Sequence, residues 1–202
     1  MTAYLVLWDR DPSSWPDSAE DLAASLKGQP VDGNWSCGAR KTIPVGSRVF
    51  LKRTGAEVRG ILASGYSTGP VYPDKHWRET RKRANYVPTV FDTILNPFND
   101  ELLPQARLRG PRLTAVHWNT QGGGMEISSE AEKDLEELWA AHLATLKRSG
   151  SGPLRSSSSA ALQSHAFVWS RRRQRSSAFS QMTRARGLSG GVCSGLVEPN
   201  TA

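Results

Sequence analysis

Cysteine is scarce in this chain: Cys37 and Cys193 stand far apart in 202 residues. Two thiols at that separation offer no disulfide framework and point to a reducing, intracellular setting. Long apolar runs are lacking as well. Tyr4-Leu5-Val6-Leu7-Trp8 is far too short for a signal core or a membrane span, and no basic segment precedes it. The expectation is a cytoplasmic protein with no membrane partner. Metal and nucleotide signatures are also missing. His76, His117, His142 and His165 are scattered, with no H-x-x-x-H or C-x-x-C spacing and no G-x-x-x-x-G-K-[ST] loop. Cys37 has no neighbour that would turn it into a nucleophile. The chain is therefore expected to need no cofactor and no metal, and to carry no catalytic residue.

Acidic residues are nearly absent from one end only. Residues 1–148 hold 19 Lys and Arg against 18 Asp and Glu, a net of +1. Residues 149–202 hold seven Arg and a single acid, Glu198, which supplies the other +6. The high overall charge belongs to the tail. Nucleic-acid affinity in the first part must come from local clusters.

What is present reads as one α+β domain over 1–148. Tyr4 to Trp8 is a buried strand, and Asp9 to Asp17, with Pro12 and Pro16, is a loop. Asp17 or Ser18 caps a short helix through Leu26, with Glu20 and Asp21 in its first turn. Val49-Phe50-Leu51 and Ile61-Leu62-Ala63 form a hairpin turned near Thr54-Gly55. Tyr86 to Asp92 is a strand in which Pro88 marks an edge or a bulge. Thr114 to Trp118 is brief extended structure, and Asn119 to Gly124 a polar loop. Ser128 or Ser129 opens the best helix: Leu135, Leu138, Trp139, Leu143 and Leu146 recur at helical spacing, with acids early and Lys147-Arg148 late. Residues 149–202, rich in Ser, Arg and Gly, have too few large apolar groups to offset the cost of ordering and are read as a disordered tail.

The stretch Asn34-Trp35-Ser36-Cys37-Gly38-Ala39-Arg40-Lys41 puts a tryptophan among small polar residues ahead of two cations. It reads as a loop, where a ligand-contacting indole is commonly found; the alternative is a core lid. His76-Trp77 precedes a charged run, Arg78 to Arg83, read either as a phosphate-binding patch or as a solvated turn.

Taken in order, Trp35-Ser36, Ile43 to Leu51, Gly60 to Gly65, Asp74 to Trp77, Phe91-Asp92 and Val116 to Gln121 resemble the EVE domain family. That family is a branch of the PUA-like fold related to YTH domains, and the likeness is greatest to EVE modules that precede HNH nuclease domains in bacterial modification-dependent restriction proteins. The resemblance implies a PUA-like mixed β-barrel flanked by short helices. It also implies a module that turns a modified base out of nucleic acid and holds it in an aromatic cage.

By the same resemblance Trp35 is one cage wall and Ser36 contacts the base edge. Trp77 is the second wall, with Tyr66 or Trp8 as alternatives. Arg40, Lys41, Arg78, Arg81, Lys82 and Arg83 are the candidate phosphate contacts. The implied partner is double-stranded DNA carrying 5-methyl- or 5-hydroxymethylcytosine; modified RNA is the rival ligand. A nuclease partner or a homodimer would complete the system, because no HNH-type cluster follows residue 148. Unstacking a base costs a few kcal/mol, and stacking on an aromatic ring returns about 1–3 kcal/mol per contact, so two indole walls roughly offset the flip. On this reading Trp35→Ala abolishes preference for modified DNA and leaves the fold intact.

Overall fold

Every described strand of this protein joins one mixed sheet, and what distinguishes its two faces is what each buries. The structure is a computed structural model and describes residues 2–55, 58–76, 83–99 and 101–148. The tail 149–202 lies outside the described residues. Among those described, the class is α+β, as expected.

The strands are β1 (Ala3–Trp8), β2 (Val31–Ser36), β3 (Arg48–Arg53), β4 (Gly60–Ser67), β5 (Tyr72–Asp74), β6 (Ala84–Ile94), β7 (Leu103–Pro104) and β8 (Met125–Ile127). The helices are α1 (Ser18–Leu26) and α2 (Ser129–Arg148), with 3₁₀ turns at Pro12–Ser14 and Gln105–Arg107. The main order is β2-β6-β4-β3-β1-β8, with β5 beside β6 and β7 beside β4. Among the described strand pairs only β1–β3 is parallel, with Tyr4 opposite Val49 and Trp8 opposite Arg53. The uninterrupted apolar run of β1 fits its place inside the sheet, between β3 and β8, with both of its faces covered.

Side chains alternate across a strand, and β1 divides accordingly. Tyr4, Val6 and Trp8 enter a core with Trp15, Trp35, Leu51, Leu62 and Phe91. Ala3 and Leu5 enter a second core with Phe50, Ile61 and the inner stripe of α2. The sheet curls so that β2 returns toward β1, which encloses the first core. In α2, Leu135, Trp139 and Leu143 recur every fourth position and are buried, as one helix face requires.

A polar chain fixes α2 to the sheet. Trp139 Nε1 donates to Ser64 Oγ at 2.9 Å, and Ser64 Oγ donates to Asp92 Oδ1 at 2.9 Å. Arg48 then donates to Asp92 Oδ2 at 2.7 Å and pairs with Glu136 of α2. Burial pulls the Arg48 guanidinium toward neutrality, but Asp92 and Glu136 outweigh it and hold the proton more firmly than usual. Two buried cations at the end of β3 are satisfied by carbonyls instead. Lys52 donates to the Trp118 carbonyl, and Arg53 to those of Val58, Pro97 and Asn99.

Several expectations change here. Trp35 lies in β2, not in a loop. Pro88 marks neither an edge nor a bulge: it pairs with Asn34 on one side, while on the other it falls between the end of β5 pairing at Tyr86 and the start of β4 pairing at Thr89. That gap lets a residue without an N–H sit inside the sheet. The register shifts lie elsewhere: between Ser64 and Gly65 opposite β6, where Asp92 is passed over, and between Leu51 and Lys52 opposite β4, where Leu62 is passed over. Thr114 to Trp118 is a set of turns rather than extended chain.

Candidate nucleic-acid interface

Trp35 and Ser36 are neighbours in a strand, so they face opposite sides of it. Trp35 pairs with Val87 and points into the first core, 7% exposed. Ser36 pairs with Tyr86 on the outer face. The Trp-Ser pair therefore does not act as one unit on one surface. Gly33 makes room for the inward indole: a Cβ there would meet Trp35 Nε1 at 2.7 Å.

Inside, Trp35 joins an aromatic nest. Trp15 stands edge-to-face against Trp35 on one side and Trp8 on the other, each with ring centroids 5.3 Å apart. Phe91 closes on Trp35 at 5.8 Å, and Phe98 on Trp8 at 6.4 Å. Trp15 donates Nε1 to Asp21 Oδ2 at 2.8 Å. The flanking rings are not so provided. The indole N–H groups of Trp8 and Trp35 are buried and have no acceptor. A buried donor left unmade costs about 1–3 kcal/mol. The chain carrying Trp15 leaves β1 through Arg10, a non-glycine residue at φ 67°, a left-handed conformation that side chains usually avoid.

Trp35 thus stands perpendicular to Trp15, which lies between it and Trp8; the expected second wall, Trp77, lies outside the described residues. The structure brings Trp8 to Trp35 through Trp15. Tyr66 is not brought there: it pairs with Val90 of β6, on the opposite face from Val87 and Trp35. Its ring instead lies under the Arg48 guanidinium at 4.7 Å. Trp77, Arg78, Arg81 and Lys82 lie outside the described residues. Trp139, expected in the apolar stripe of its helix, is a core residue, and so is Trp118.

The outer face offers a second arrangement. Ser36, Tyr86 and Tyr72 are laid side by side by the β2–β6–β5 register, with the two phenol rings 6.2 Å apart. Lys41, Lys75 and Arg83 are exposed near these elements, so cations surround the two phenol rings. Arg40 is otherwise engaged. Its Nε donates to the Gly124 carbonyl at 2.6 Å, its Nη2 pairs with Glu126 at 3.1 Å, and its guanidinium covers Tyr4 at 5.0 Å. It staples the Asn119–Gly124 loop to the end of β2 rather than standing free for phosphate. Cys37, fully buried at that junction, has its thiol pushed up to about 11 by burial, which makes it a packing residue. Among the described residues no group of His, Cys, Asp or Glu is placed to hold a metal, and no helix is long and apolar enough to cross a membrane.

Sequence reasoning passed over Trp15, Tyr72 and Tyr86. Trp15 lies between Pro12 and Pro16 in what reads as a plain loop. Its one signal is Asp21, six residues on, at the start of a helix whose buried face is polar (Ser18, Asp21 and Ser25).

No family model matches the chain, and neither does any curated protein. Similar solved structures exist. A hypothetical protein from Leishmania major is 13% identical, covering 70% of this chain and 96% of that one, with a TM-score of 0.48. A Pseudomonas syringae protein is 18% identical over 71% and 98%, with a TM-score of 0.44. Human THYN1, solved in complex with DNA containing 5-methylcytosine, is 16% identical over 68% and 97%, with a TM-score of 0.45.

Proposed function

We propose that this domain is a PUA-like, EVE-type nucleic-acid-binding module that reads a modified base, 5-methyl- or 5-hydroxymethylcytosine in DNA. The observation that carries the reading is the pair of buried, unsatisfied indole N–H groups on Trp8 and Trp35, both packed against one ring, Trp15. An indole N–H donates only, and the O2 and N3 edge of cytosine accepts. A flipped base that displaces Trp15 would stand edge-on between the same two rings, as Trp15 does, and bring its acceptors to those donors. Two buried donors satisfied would return about 1–3 kcal/mol each against the few kcal/mol of unstacking. The tyrosine pair on the outer face, with Lys41, Lys75 and Arg83, would hold the flanking strand.

Titration of one duplex sequence in plain, methylated and hydroxymethylated form tests the reading, with preference for a modified duplex expected. Equal affinity for all three would overturn it. Tighter binding of methylated RNA than of DNA would move the module to RNA. Cleavage would be supplied by a nuclease on another domain or chain.

A further inference from the structure

A second concave site lies away from the aromatic nest. Three segments far apart in sequence enclose a cleft of about 1060 Å³: the approach to β4, the 3₁₀ turn after β7, and the turns before β8. Arg59, Arg109 and His117 line it, and no carboxylate is found among its described lining residues. Among the described residues neither arginine has an acidic partner. Clustering unpaired cations is unfavourable for the protein alone and attracts an anion. Lys52, behind the wall formed by Trp118, is held down to about 8 by burial and by the Arg59 charge. The positive potential therefore reaches the floor of the cleft.

Gln105 adds a second requirement. Its backbone N–H donates to the Arg59 carbonyl at 2.7 Å and its Nε2 to Asn119 Oδ1 at 2.9 Å. Its Oε1 is buried in the cleft wall with no donor. Inorganic phosphate, still carrying an O–H near neutral pH, could meet both, whereas a phosphodiester has no proton and needs its donor from an attached base or sugar. A phosphate ester that also carries an N–H or O–H donor satisfies both.

We infer that this cleft binds a nucleotide unit of a nucleic-acid strand, with the phosphodiester on Arg59, Arg109 and His117 and a base or sugar donor facing Gln105 Oε1. The cleft starts at Gly55, where a Cβ would come within 3.4 Å of the Asp9 carbonyl. It therefore opens beside the loop that follows Trp8. A strand leaving that loop can enter it directly. The inference does not depend on base modification.

The test uses the full chain and a fluorescently labelled, unmodified single-stranded decamer across a salt series. Neither arginine side chain makes an intramolecular bond, so Arg59→Ala with Arg109→Ala should fold normally. The double variant should bind about tenfold more weakly at low salt. Its plot of log K against log salt should be shallower by about 1.4, the loss of two single-strand phosphate contacts. Lys147→Ala with Arg148→Ala, at the end of α2, should lose no more than its share of non-specific attraction. An unchanged affinity and slope in the arginine double variant would overturn the inference, as would competition by inorganic phosphate as effective as that by the decamer. The ratio of methylated to plain duplex affinity, measured in the same variant, should not change, which keeps the cleft and the base reading separable.

Discussion

The Trp15 indole donates to Asp21 Oδ2 at 2.8 Å, tying the loop after β1 to the buried side of α1. This bond holds Trp15 between Trp8 and Trp35. Asp21→Ala strands a buried donor and should lower the unfolding free energy by about 1–3 kcal/mol, read by urea denaturation. If Trp15 occupies the base slot, the same variant should bind methylated duplex more tightly while its affinity for plain duplex stays level. An unaltered urea midpoint would show that the bond is not what keeps the ring in place.

Trp35→Ala will not leave the fold untouched. The ring is buried and touches both Trp15 and Phe91, so its truncation should cost about 3–5 kcal/mol. Trp35→Phe keeps most of the volume and should cost distinctly less. It also removes the unsatisfied N–H. Modified-base preference lost in the phenylalanine variant, with thermal stability largely kept, would separate recognition from packing.

Arg48 is 8% exposed at its side chain and shared between Asp92 and Glu136. Arg48→Met leaves two partly buried carboxylates facing each other and should cost about 3 kcal/mol. Glu136 is 35% exposed, so Glu136→Gln should cost less than about 1 kcal/mol. Guanidinium midpoints at equal slope would order them. A larger loss for Glu136→Gln would contradict the geometry.

Alkaline behaviour should show two opposed contributions. Lys52 is lowered from 10.5 to about 8 in the fold, so between those values the unfolded chain binds more protons and stability rises with pH. Cys37 is raised from 9.0 to about 11, so between those values the folded chain binds more protons and stability falls. Lys52→Met should remove the rise that starts near pH 8, and Cys37→Ala the decline that starts near pH 9. Parallel stability curves for wild type and Lys52→Met from pH 7 to 10.5 would rule out a depressed lysine.

Some of this was legible in the residues and some could not be. The apolar run of β1, the hairpin of β3 and β4 and the Leu135, Trp139, Leu143 stripe carry their own periodicity, so each element and its inward face could be read directly. Short pieces such as β5, β7 and β8 exist only because a neighbour offers a hydrogen-bonding edge; two or three residues have no preference strong enough to announce themselves. Trp35 was misread for a related reason. Asp32, Gly33 and Asn34 are poor strand formers, and only pairing with β6 draws them into the sheet.

By itself the sequence determined the composition of the cores, the one long helix and the uneven distribution of charge, because periodicity and charge are local properties of a chain. Only the tertiary structure decided that Trp8, Trp15 and Trp35 meet, that Arg40 and Arg48 are engaged, and that Arg59 and Arg109 remain unpaired around a cleft with Gln105. Those relations join segments up to tens of residues apart. They follow from how the sheet curls, which no single stretch of residues encodes.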